Sequence, residues 1–121
     1  MESVTDESLA RWFTPAAFAA SLPVIDKARA MILSTPPAGY AGCIAAIQDL
    51  DYLPHLARIH TPSLFLVGSE DPGTPPEVAR AMHQSVNASR FAEIKGAAHL
   101  SNLEKPEEFN DSIVKFLRAV P

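Results

Sequence analysis

Residues 67–76 read VGSEDPGTPP. An apolar run, Leu64 to Val67, ends at Gly68, and two acids, Glu70 and Asp71, follow at once. A Pro/Gly turn and a helix start come next. Asp and Gly suit turns for backbone reasons alone. The carboxyl ends of strands in open α/β sheets are also where ligands and chemistry gather. The residues on either side decide between these readings.

Downstream, Val78, Met82 and Val86 form an apolar stripe at helical spacing, and Thr74 and Glu77 have the spacing of a capping box. RFAEIK (90–95) reads as a second, half-polar strand, and GAAHLSN (96–102) as a loop. Pro106 opens a last helix with Phe109, Ile113, Phe116, Leu117 and Val120 on its apolar face. Residues 59–121 are thus strand–helix–strand–helix. In a right-handed β–α–β unit both strand-to-helix loops open on the same sheet edge. Asp71 in the first loop and His99 in the second are therefore expected side by side. An acid that accepts a bond from the imidazole Nδ1–H fixes the tautomer of a general base. An ordinary Asp-Pro-Gly turn and an unremarkable loop histidine remain the alternative.

Upstream, residues 1–58 read as successive helices. Leu9, Trp12 and Phe13 share one face. Thr14-Pro15 has the N-cap/N1 pattern of a short helix through Phe18. Ser21 and Pro23 open another helix, with Val24, Ala28, Met31 and Ile32 on a stripe. Thr35-Pro36-Pro37 opens a fourth, with Tyr40, Ile44 and Ile47 on its stripe. Residues 52–58 add a further turn. Cys43, beside that stripe, is expected as a buried structural thiol rather than a nucleophile.

The totals exclude several classes. The chain has 121 residues, one cysteine and a net charge of −4. That length suits one domain. A single thiol forms no internal disulfide. The acidic balance, without any basic run, argues against nucleic-acid binding. No apolar stretch approaches membrane-span length. MESVTDESLARW lacks the basic and apolar regions of a signal peptide, so a cytoplasmic protein is expected. His55, His60 and His83 have no partner at metal-ligand spacing.

The two strands raise a physical problem. A two-stranded parallel sheet is marginal in water, and Leu64, Leu66 and Val67 need cover. The expectation is an oligomer, a swapped strand or large apolar patches.

LVGSEDPGTPP and GAAHLSNLEKPEEFNDSIVKFL resemble the acid and histidine segments of the α/β-hydrolase fold, in that fold's chain order. RWFTPAAF and GYAGCIAAIQDLD resemble the cap region of 3-oxoadipate enol-lactonases. The resemblance runs from about Leu9 to Leu117. It implies a partial α/β-hydrolase fold: a helical cap segment (1–58), then the last two parallel strands and helices of the sheet (59–121). It implies Asp71, rather than Glu70, as triad acid and His99 as triad histidine, and neither cofactor nor metal. The family's enol-lactone carries a free carboxylate, which Arg11 and Trp12 of the cap would suit as cation and aromatic wall. A surface Arg beside a core Trp is the plainer reading. The family's nucleophile sits on a G-x-S-x-G elbow, and no such motif occurs here. The chain is therefore expected to be the cap and C-terminal half of an ester or lactone hydrolase, inactive alone, that self-associates or docks on a complementary N-terminal half. Other esterases or haloperoxidase-like hydrolases share the acid and histidine segments. A non-catalytic split module is the rival reading.

Overall fold

The computed structural model describes residues 1–120. Four helices come first: α1 (Glu2–Trp12), α2 (Pro15–Ala19), α3 (Pro23–Ser34) and α4 (Pro37–Gln48). A 3₁₀ turn, Leu53–Arg58, leads to strand β1 (Ser63–Gly68). Then follow α5 (Pro76–Ser85), β2 (Ser89–Ile94), α6 (Ser101–Glu104) and α7 (Pro106–Arg118). Proline stands at the first helical position of α2, α3, α4, α5 and α7. Its φ is preset for a helix, and its missing N–H would have had no partner there.

The strands pair in parallel, from Ser63 opposite Ser89 to Gly68 opposite Ile94. Parallel pairing needs a crossover, and α5 supplies it. The His83 ring of α5 lies near both Phe65 and Phe91 on one face of the sheet. Its Nδ1 is 2.7 Å from Ser89 Oγ. On the other face, Ser112 and Phe116 of α7 border a hollow with Leu64 and Ala92.

The main core lies among the first helices. Leu9, Phe13, Ala17, Ile25, Ala28 and Ile32 are buried together, and Leu100 and Leu103 pack against them. Those two leucines follow His99 in the chain, so the first helices and the histidine loop share one apolar cluster.

Several expected stripes are displaced. In α3 the buried residues are Ile25, Ala28 and Ile32, while Met31 is exposed. In α4 no residue is buried, Ile44 and Ile47 are exposed, and Cys43 is exposed rather than a buried thiol. Alanines 38, 41, 45 and 46 surround that stripe, so α4 is apolar on most sides and its periodicity defines no core face. Val78 and Leu117 are exposed as well, because α5 and α7 rest on a sheet only two strands wide. Val67 is buried, and Leu64 and Leu66 are half-buried. A further group of large exposed apolar residues lies on α4 and the segment after it: Ile44, Ile47, Leu50, Tyr52, Leu53 and Ile59.

Among the described residues no single helix is long and apolar enough to cross a membrane. Helices α3 and α4 reach that length and composition only as a pair bent by 97°.

Candidate active site

Both strands end at the same edge, and their loops are tied together there. Ser69 N–H donates to the Ile94 carbonyl and Glu70 N–H to the Ala97 carbonyl, each at 2.9 Å. Gly96 N–H donates to Ser69 Oγ at 2.9 Å, and Gly96 takes a left-handed φ of 66°. Gly68 makes this approach feasible: a Cβ there would overlap the carbonyl oxygens of Ala97 and Ala98. Both are backbone atoms and cannot swing aside as a side chain would. Gly68→Ala is expected to cost about 1–3 kcal/mol, the range for overpacking a tight site, read as a lower urea midpoint. Gly39→Ala, with open space around it, should cost nothing by that route and slightly favour its helix.

The tied loops place Asp71 against His99. The imidazole Nδ1 and the carboxylate Oδ2 are 2.8 Å apart. Asp71 is 4% exposed, whereas the His99 side chain is 44% exposed. The acid is thus an inner support and the ring faces outward. Glu70 is exposed, and its backbone rather than its carboxylate joins the two loops.

Three further donors converge on Asp71. Gly73 N–H and Thr74 N–H reach Oδ1 at 2.8 and 3.0 Å, and the Thr74 hydroxyl reaches Oδ2 at 2.7 Å. Burial opposes the charge on Asp71. The hydrogen bonds from Thr74, His99 and Gly73 outweigh it and hold the carboxyl below its ordinary value of 3.8. An ionised carboxylate only accepts hydrogen bonds. The shared proton therefore sits on Nδ1, and in the neutral ring Nε2 is left bare, as a general base needs.

A group whose pKa is depressed by folding contributes stability above its unfolded value and loses it as pH falls through the folded one. Asp71 should accordingly stabilise the chain above pH 3.8 and stop doing so at more acid pH. Chemical denaturation across that range checks this. Asp71→Asn should flatten the acid limb of the stability curve.

Thr74 corrects the helix start expected from its spacing with Glu77. The N-cap of α5 is Pro75, with no side-chain cap bond. The Thr74 hydroxyl turns back to Asp71 instead and lies 3.4 Å from His99 Nδ1. A threonine three residues after a loop acid was the available signal.

Glu104 carried no such signal. It is buried, and its carboxylate accepts from the Thr14 N–H, the Thr14 hydroxyl and the Ala98 N–H. It joins Thr14, at the start of α2, to the residue preceding His99. Two of its three partners are backbone groups, which leave no mark on a sequence.

Arg11 and Trp12, both on α1, separate. Arg11 is exposed and approaches Glu7 on its own helix at 3.8 Å. Trp12 is half-buried and lines an apolar cavity of about 530 Å³ with Lys27, Ala28, Met31, Ile32 and Leu100. Lys27 is the cation on that wall; Arg11 is not among its lining residues.

Residues 11–106 match the model of the alpha/beta hydrolase fold family. The chain belongs to that family. It is 30% identical over 110 residues to 3-oxoadipate enol-lactonase 2 of Acinetobacter baylyi, covering 91% of this chain and 41% of that protein. The crystal structure of the enol-lactonase from Burkholderia xenovorans superposes with a TM-score of 0.93 at 30% identity, over 98% of this chain and 45% of that one. A thermophilic esterase from Thermogutta terrifontis gives 0.88 at 34% identity, over 95% and 43%. The α/β-hydrolase chain thus spans less than half the length of these relatives. Its two parallel strands and their helices form part of the family's fold.

Proposed function

We propose that this chain supplies the acid and the histidine of a serine hydrolase acting on carboxylic esters or lactones, with 3-oxoadipate enol-lactone as substrate. The observation that carries the reading is the Asp71–His99 hydrogen bond at the carboxyl edge of the sheet. Asp71 holds the ring in the tautomer with Nε2 free. His99 Nε2 takes the proton of a serine hydroxyl as that oxygen attacks the carbonyl carbon. It then returns the proton to the departing oxygen, and the cycle repeats with water on the acyl-enzyme. Asp71 stabilises the imidazolium formed in between. These steps need no cofactor. The similarity to enol-lactonases supports the choice of substrate, and Trp12 supplies an aromatic wall to the cavity beside the histidine loop.

The serine and the oxyanion amides would come from a complementary N-terminal half. That half would also cover the apolar residues exposed on α4 and after it. The test is hydrolysis of aryl esters and of the enol-lactone, by the chain alone and after mixing with an N-terminal half that bears the G-x-S-x-G turn. No turnover above background is expected from the chain alone, and turnover from the mixture. Light scattering should show the two halves in a one-to-one complex. Activity of the lone chain that survives His99→Ala would overturn the reading. A stable self-associated chain that does not take up the added half would favour a non-catalytic module.

A further inference from the structure

We infer that Glu104 is a positioning residue for His99, a clasp through which the cap segment sets the orientation of the base; this rests on the reading of Asp71 and His99 as an acid–base pair. The residues on both sides of His99 are tied to the turn Trp12–Thr14, one directly and one through Glu104. Before it, Ala98 N–H donates to Glu104 Oε2 at 2.8 Å. After it, Leu100 N–H donates to the Trp12 carbonyl at 3.0 Å. The other oxygen of Glu104 accepts from Thr14 N–H at 3.1 Å and from the Thr14 hydroxyl. Thr14 Oγ1 in turn accepts from Ala17 N–H at 3.2 Å, capping α2. One continuous set of bonds therefore runs from the start of α2, through Thr14 and Glu104, to the residue beside His99.

The chemistry of Glu104 fits that role. Each of its three partners approaches as a donor, and a carboxylate is the side chain with acceptors only. Glutamine would turn an NH₂ toward either Ala98 N–H or Thr14 N–H and lose one end of the clasp. Aspartate keeps both acceptors but is one methylene short of spanning from Thr14 to Ala98. Glu104 is 7% exposed, so water is poorly placed to replace a lost partner. No ion pair competes for it among the described residues. The cap turn and the base consequently move together, and a displacement of Trp12–Thr14 is transmitted to the ring that must face the substrate.

Nitrogen-15 NMR of histidine-labelled 121-residue chain tests this apart from activity. The wild-type chain should show His99 as the Nδ1–H tautomer with a low-field Nδ1 proton, and Asp71→Asn should abolish that proton. Glu104→Gln should lose it too, with a mixture of tautomers, while circular dichroism still reports a folded chain. Ile25→Val, which trims the cap core without touching the clasp, should leave it intact. If Glu104→Gln does not fold, Glu104→Asp carries the test, with a broadened or lost Nδ1 proton expected. A folded Glu104→Gln or Glu104→Asp chain with an unchanged His99 spectrum overturns the inference and leaves the acid–base pair standing. A wild-type spectrum without the Nδ1–H tautomer overturns the pair itself, and the clasp with it.

Discussion

In the reassembled hydrolase, Asp71→Asn is expected to lower kcat by about 10⁴-fold, by analogy with the serine protease triad. The size of the effect follows from the hydrogen bonding. The carboxylate accepts four bonds, from Gly73 N–H, Thr74 N–H, the Thr74 hydroxyl and His99 Nδ1. An asparagine oriented to accept from Gly73 and Thr74 N–H turns its NH₂ toward His99. The ring then places its proton on Nε2, the atom that must be bare. The substitution thus leaves the site assembled in the wrong protonation state. KM should move little, because Asp71 is buried behind the outward-facing His99 ring. His99→Ala should remove turnover down to the residual rate of an enzyme without its base. Steady-state kinetics of the two variants, each mixed with the same N-terminal half, checks both. Equal kcat for wild type and Asp71→Asn would place the orienting group elsewhere.

The second large effect is on folding. Phe13 is 1% exposed at the centre of the cluster that joins the first helices to Leu100 and Leu103. Its ring meets Phe18 edge-on, with centroids 6.5 Å apart. Phe13→Ala should cost about 3–5 kcal/mol, the transfer loss plus the cavity left behind. A small domain has only about 5–15 kcal/mol in total. The variant should therefore lose most of its cooperative transition in urea. Because Trp12 and Thr14 flank Phe13 and hold the loop around His99, the Asp71–His99 bond should fail in the same transition. Leu117→Ala on α7, a side chain 62% exposed, should shift the midpoint by less than about 0.5 kcal/mol. Comparable costs at the two positions would mean that the core lies elsewhere.

The parts of this fold that were legible in the sequence are those governed by local chemistry. Proline marks helix starts because its constraint acts within a residue or two, so α2, α3, α4, α5 and α7 were readable. The run ending at Gly68 and the polar–apolar segment before Lys95 gave the two strands. The joint placement of Asp71 and His99 followed from the handedness of the β–α–β crossover, which depends on chain chirality rather than on any particular contact.

Where periodicity was asked to find a core, it was weaker. A stripe shows which side of a helix is more apolar, and not whether anything packs on it. Tyr40, Ile44 and Ile47 on α4 have correct spacing, yet Tyr40 is only half-buried and Ile44 and Ile47 are exposed. The exposed Cys43 follows from the same cause. Thr74 shows a different ambiguity: a hydroxyl before a helix with glutamate three residues on fits a capping box and a loop bond to Asp71 equally well. Glu104 was invisible because Thr14 lies 90 residues away and its nearer partner, Ala98, offers only a backbone N–H. No period or motif encodes a side chain that meets backbone amides across the fold.

The most direct test of the account is labelling of the elbow serine by a fluorophosphonate, a reagent that reports whether that serine is activated by a base. The N-terminal half bearing G-x-S-x-G is mixed with this chain, and the rate of covalent labelling is followed by mass spectrometry. Fast labelling is expected with the wild-type chain, with a collapse to the rate of the isolated N-terminal half when His99→Ala replaces it. Labelling by the His99→Ala mixture at the wild-type rate, with the complex intact by light scattering, would contradict the claim that this chain supplies the base.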